Sequence, residues 1–306
     1  MSRQPPPARA RAMRGLALIA AVVLACPALA DPPMQRAQCR AALAAGAALL
    51  GLDEGDVQAA KQARHAVTPD GWCRLFGDDP QLSAPPFAKL DWRAEGVERL
   101  IEETRPPEAL ELRITDWRMR PGAAAPRAAP VDVVLSLRHV ADTRQLIVES
   151  LRISSDTGDA LFATAVLERV DFSSRAMAQV SMGSVALGRL TARIRLNGWV
   201  ETRVLPAIDI TGDPRDIRRM VRDGAARLPA SLLDSRARAN LDAFVAALPA
   251  PRGTLELGLR SDKRVMVSGL AGLLIYGKAM SGNDPAALFD GVRAEVIWTP
   301  DSDLSE

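Results

Sequence analysis

Residues 131–172 read VDVVLSLRHVADTRQLIVESLRISSDTGDALFATAVLERVDF, and this stretch decides the fold class. Val131, Val133, Leu135 and Leu137 recur at every second position, the period of a strand with one buried face. Ala141-Asp142-Thr143-Arg144 reads as a turn, 146–154 as the next strand, and Ser155-Asp156-Thr157-Gly158-Asp159 as a second turn before a third strand over 161–172. A parallel crossover needs a dozen or more residues, so connections this short predict an antiparallel meander rather than βαβ units.

The same pattern extends outward. Upstream, Leu90, Trp92 and Ala94 alternate with Lys89, Asp91, Arg93 and Glu95, and a short helix fits 97–103. Leu110, Leu112 and Ile114 alternate with Glu111, Arg113 and Thr115, and Trp117 and Met119 continue on the facing parity or after a bulge. The segment PGAAAPRAAP, 121–130, is a low-complexity loop between two strands of one sheet. Downstream, 176–187, 190–197 and, more weakly, 200–210 read as strands.

Beyond Gly212 the period becomes helical. Asp213 is placed as an N-cap with Pro214 at the first helical position, and Ile217, Met220, Val221 and Leu228 share one face. A second helix fits 231–248, with Leu241, Phe244, Val245 and Leu248 as its stripe and Pro249 as its stop. Strands are expected around Leu255, Leu257 and Leu259, over 265–276, and at Val292, Ala294, Val296 and Trp298, with a short helix from Asp284-Pro285 to Phe289. Near the N-terminus, 35–50 is an alanine-rich helix stopped at Gly51, Asp53-Glu54-Gly55-Asp56 is a turn, and 63–68 is extended. Pro69-Asp70-Gly71 then turns into Trp72-Cys73-Arg74-Leu75. The expected fold is therefore α+β: a long, curved antiparallel sheet over 87–298 packed with two helices near 214–248, a small disulfide-stapled helical cap over 31–80, and a tail at 299–306.

Composition narrows the class. The chain has 306 residues, 48% of them hydrophobic and 25% charged, which is globular rather than disordered. Residues 1–30 run from a basic stretch ending at Arg14 through an apolar stretch, 16–25, to Ala28-Leu29-Ala30, the layout of a secretory signal peptide cleaved between Ala30 and Asp31. A second possibility is a lipoprotein, because Val22-Val23-Leu24-Ala25-Cys26 resembles the lipobox in which the cysteine is acylated. Four of the 39 basic residues lie in 1–30 and none of the 37 acidic ones, so residues 31–306 carry 35 basic groups and a net charge of −2. That removes the simplest argument for nucleic acid, and no later apolar run is long enough for a membrane span.

With Cys26 gone, Cys39 and Cys73 form an even pair in an oxidising compartment and read as a disulfide. A metal site adding His65 to the two thiols has too few ligands. Other chemistry is thin. Only His65 and His139 exist, Met182-Gly183-Ser184-Val185 lacks the glycine spacing of a nucleophile elbow, and Asp78-Asp79 and Glu102-Glu103 are adjacent acids that nothing ties across a cleft. Asp53-Glu54-Gly55-Asp56 imitates a calcium loop but has Arg64 where the closing acid belongs. The run Arg215 to Arg222 reads as a solvated helix face, with contact to anionic lipid head groups or an acidic partner as the alternative, in a chain with 35 Arg against 4 Lys. Trp92, Trp117 and Trp199 read as core fillers. No catalytic, metal or cofactor residue is assigned.

The order of elements over 87–298, strands followed by two helices and more strands, resembles bacterial envelope proteins that carry or organise lipids on bent antiparallel sheets. The resemblance rests on layout and transfers no residue. It implies a non-catalytic periplasmic or secreted protein that binds lipid or another apolar ligand. Two other functions fit the sequence: a carboxylate-based hydrolase, and an assembly factor that binds an envelope protein at a sheet edge.

Overall fold

The alternating stretches become one antiparallel sheet of ten strands among the described residues, with spatial order equal to chain order. In the computed structural model the described residues are 34–49, 54–79, 86–103, 105–118, 129–207, 213–266 and 289–302, all within one compact unit. The strands are β1 (His65–Val67), β2 (Cys73–Phe76), β3 (Lys89–Glu95), β4 (Ala109–Trp117) and β5 (Val131–Val140), followed by β6 (Gln145–Ser154), β7 (Ala160–Glu168), β8 (Ala186–Leu196), β9 (Gly253–Met266) and β10 (Val292–Pro300). The stapled N-terminal segment thus supplies β1 and β2 to the same sheet as the rest.

Each strand sends alternate side chains to two faces. Rows of paired residues carry leucine, valine, isoleucine and alanine on the inner face, such as Leu112–Leu135–Leu151–Ala163–Ala192–Leu257–Val296. The outer rows are mixed and rich in arginine, with Val134 and Phe162 exposed among the polar residues. Register shifts interrupt five successive pairs, from β4–β5 to β8–β9, the first at the Trp117 bulge beside Asp116 (φ 55°). A bulge bends its strand and raises the local twist, so the sheet curls, with β1 and β10 as its edges.

Helices cover the two ends of the inner face. α1 (Arg36–Leu49), α2 (Glu54–Gln62) and α3 (Val97–Glu103) belong to the N-terminal half, where Cys39, Ala42, Cys73, Trp92, Val97 and Leu100 form a buried cluster. The Cys39–Cys73 disulfide joins α1 to β2 with a Cα–Cα separation of 5.5 Å. α4 (Arg175–Met182) lies between β7 and β8, and α5 (Pro214–Ala226) and α6 (Ser235–Ala247) between β8 and β9. The second cluster gathers Leu196, Ile217, Val245, Leu255, Val296 and Trp298, with Phe244 edge-on to Trp298 at 5.2 Å. Asp213 caps α5 through the Arg215 amide at 2.8 Å, with Pro214 at its start, as the sequence indicates.

Several readings needed correction. Residues 176–182, expected in a strand, form α4: Ser174 accepts the Met177 amide as N-cap, and alanine, methionine and glutamine favour helix. β8 is instead one strand from Ala186 to Leu196. The third strand stops at Glu168 rather than 172, because Arg169 takes a left-handed conformation (φ 64°) and turns the chain. Residues 200–207 are a π turn (Val200–Val204) running into a helical turn (Leu205–Ala207), not a strand, while 208–210 lie outside the described residues. The second long helix starts at Ser235, capped by Asp234, because Leu232 and Leu233 run along the β10 edge, where the Ala294 amide donates to the Leu232 carbonyl at 2.7 Å. Glu54 to Asp56, expected as a turn, open α2. Gly51, Met119, residues 121–128 of the low-complexity loop, most of the 265–276 strand and Asp284-Pro285 lie outside the described residues.

Candidate ligand-binding surface

Between the two helix-covered clusters, the inner face of β5, β6 and β7 carries four paired rows. They are Val133–Ile153–Leu161, Leu135–Leu151–Ala163, Leu137–Val148–Ala165 and His139–Leu146–Leu167. Val133 is buried, and the other eleven side chains are all partly exposed. Neither buried cluster includes any of them, and among the described residues no helix packs over these strands. The residue types explain the shape. Leucine and isoleucine stand on β5 and β6, whereas Ala163 and Ala165 on β7 leave a low floor beside Ala192 of β8.

Backbone that the sequence predicts as strand lies at both ends of these rows. At one end the chain after β7 folds back over the β5–β6 hairpin: the Val170 amide donates to the Arg144 carbonyl at 2.9 Å, His139 Nε2 lies 3.2 Å from the Val170 carbonyl, and the Phe172 ring sits 4.8 Å from the His139 ring. At the other end Asp159, 1% exposed, accepts the Asn197 and Trp199 amides and the Thr157 hydroxyl at 2.5, 3.0 and 2.8 Å. A buried carboxylate so supplied with donors fixes the exit of β8. From there the 200–207 turn reaches the start of β5, where the Arg203 guanidinium donates to the Ala129 carbonyl. Asp159 follows Gly158 (φ 85°) in the turn singled out in the sequence, and that pairing was its only signal.

The polar groups considered for chemistry are otherwise engaged. Cys39 and Cys73 are oxidised together, and His65, 4% exposed, holds Nε2 3.1 Å from the Ala60 carbonyl, with burial pushing its pKa down. Asp78 pairs with Arg64 at 2.7 Å, and Asp79 accepts the Arg64 amide at 2.5 Å. Glu103 pairs with Arg105 at 3.0 Å, and the Ser184 hydroxyl donates to the Ser181 carbonyl at 3.1 Å. Two carboxylates do converge on the outer face, Glu95 and Glu149, but Arg138 lies between them at 2.8 and 2.9 Å. The Arg138 hydrogen bond holds the Glu95 pKa below the usual carboxylate range; for Glu149 the Ser136 hydroxyl contributes most and Arg138 next. A general acid needs its pKa raised, so this pair is built for charge compensation.

Among the described residues no group of three or more His, Cys, Asp or Glu side chains is placed to hold a metal ion, and no helix is long and apolar enough to cross a membrane. In the α5 arginine run, Arg218 donates to the Leu248 carbonyl at 2.7 Å and Arg219 pairs with Asp216 at 2.5 Å. Trp92 is buried in the N-terminal cluster, Trp199 packs against the C-terminal one, and Trp117 is partly exposed at its bulge. Cys26 and the Ala30–Asp31 junction lie outside the described residues. No family model, no curated protein and no solved structure matches the chain.

Proposed function

We propose that this is a non-catalytic envelope protein that holds an apolar ligand, the acyl chain of a lipid, in the basin on the inner face of β5–β7. The observation that carries the reading is the belt of aliphatic side chains left half-covered between two helix-capped clusters. Apolar surface gathered in one patch on a folded protein marks a binding site. An acyl chain laid along it gains about 0.8 kcal/mol per buried CH₂ before the cost of ordering the chain. Export to the periplasm is part of the proposal, supported by the basic, apolar and Ala-Leu-Ala segments of 1–30 and by the disulfide.

Sheet-edge docking of a protein partner has less support. Leu232 and Leu233 take part of the β10 edge, and β1 offers only three residues. The test is native mass spectrometry of protein prepared from the export compartment without detergent. The expected spectrum shows lipid adducts that Ala165→Trp, which raises the basin floor, removes while the disulfide and circular dichroism stay unchanged. Protein that emerges empty and takes up no oleate would overturn the reading.

A further inference from the structure

We propose a second binding site, on the opposite face of the sheet, for a small phosphate-bearing ligand at the row Arg189–Arg260–Arg293. These three arginines stand side by side on β8, β9 and β10, in direct register. Like charges placed opposite one another across strands are destabilising, and neighbouring Cβ atoms in such a row are only about 5 Å apart. The compensation is incomplete. Asp262 lies 3.4 Å from Arg260 and 3.8 Å from Arg293, longer than strong charge-assisted contacts. Arg189 has no ion pair among the described residues, and the Arg260 and Arg293 side chains are 68% and 81% exposed.

The surface beside the row is a depression of about 500 Å³. Gly258 makes the hollow: it sits between Thr191 and Glu295 in the next row, where any side chain would stand in the gap. Arg236, at the start of α6, adds a fourth guanidinium to the rim and has no ion pair among the described residues. Two acids also line the hollow. Asp234 is committed to capping α6 through the Ala237 amide at 2.7 Å, and Glu295 stands beside Gly258.

Charge is segregated here. The twelve outward positions of β8–β10 that pair in register hold five arginines and two glutamates, whereas residues 31–306 as a whole are net negative. On the outer face of β3–β6 two arginines are closely matched to acids, Arg93 to Glu111 at 2.6 Å and Arg138 to Glu95 and Glu149, while Arg113 lies 3.9 Å from Asp70 and Arg152 stacks over the Phe162 ring. Guanidinium forks at this spacing suit the paired oxygens of neighbouring phosphoryl groups. A hollow, rather than a plane, suits a small soluble molecule more than a bilayer surface.

The probe is inorganic pyrophosphate, titrated calorimetrically into the intact disulfide-bonded protein, with sulfate as comparison. Saturable binding is expected, at least tenfold tighter than for sulfate. Arg260→Gln should weaken it at least tenfold, and the triple variant with Arg189→Gln and Arg293→Gln should abolish it. These side chains are exposed, so the variants should unfold at the same temperature as the parent or higher. A control removing three charges elsewhere, Arg215→Gln, Arg219→Gln and Arg222→Gln on α5, should leave binding within twofold. No pyrophosphate binding, or equal loss in the control, would overturn the site. Binding confined to phosphatidylglycerol vesicles, with none to pyrophosphate, would overturn the small-ligand assignment in favour of a lipid head group.

Discussion

Removing the Cys39–Cys73 bridge should cost the protein a large part of its stability. The disulfide closes a loop with a sequence separation of 34, which contains α2, β1 and the turn into β2. On the chain-entropy model a loop of that length contributes roughly 4 kcal/mol by restricting the unfolded chain. Domains are held by only about 5–15 kcal/mol in total. Both sulfurs lie in residues with 0% exposure, packed with Ala42, Trp92 and Leu100, so the paired alanine variant also loses some packing. The measurement is urea unfolding of Cys39→Ala/Cys73→Ala against the oxidised parent, followed by circular dichroism. With a slope of about 2–3 kcal/mol/M, the midpoint should fall by about 1–2 M. Hydrogen exchange should show protection lost first in α1 and β2 and kept in β8–β10. Coincident midpoints for the two proteins would refute the reasoning.

Other outcomes follow from the same structure. Leu248→Ala, at a residue 5% exposed in the C-terminal cluster, should cost about 2–5 kcal/mol; Leu151→Ala, half-covered in the basin, should cost less than half as much in the same urea titration. Asp159→Ala should destabilise by about 3 kcal/mol, because it strands the Asn197 and Trp199 amides, and proteolysis should then cut first within 198–207. His65 has its folded pKa below the unfolded value near 6.5, so the unfolded chain binds the proton first. Stability should therefore fall as pH drops from about 6.5 to the folded pKa, and His65→Gln should flatten that part of a thermal-melt pH series. Glu95 and Glu149 have folded pKa values below their ordinary ones, so their contribution is present above the normal carboxylate range and disappears on further acidification. Arg138→Gln should reduce that acid-side slope, with a loss at neutral pH of no more than about 1 kcal/mol for so exposed a network.

The sheet was legible wherever one face is apolar and the connections are short. Strands β3 to β7 follow the period-two pattern, and Cys39 and Cys73 could be paired by elimination. What escaped was decided by tertiary contacts and, at one helix, by a local cap. The valine- and threonine-containing run at 200–204 favours a strand by propensity, yet Asp159 binds the Trp199 amide and turns the chain into a π turn. Residues 176–182 share their alternation with a strand, and the Ser174 cap settles them as helix. The basin was legible only as an apolar sheet face, because a row of leucines reads the same whether a helix covers it or not. The arginine row was invisible for a related reason: Arg189, Arg260 and Arg293 are distant in sequence and meet only through register.

The most direct test of the basin uses a single cysteine on β6 carrying an environment-sensitive fluorophore. Leu151→Cys faces the basin, and Arg152→Cys, one residue on, faces the opposite side of the sheet. Titration with oleate should shift the emission of the label at 151 to shorter wavelength and saturate, while the label at 152 stays unchanged. An unresponsive label at 151, or the same response from both positions, would contradict an apolar ligand held on the inner face of β5–β7.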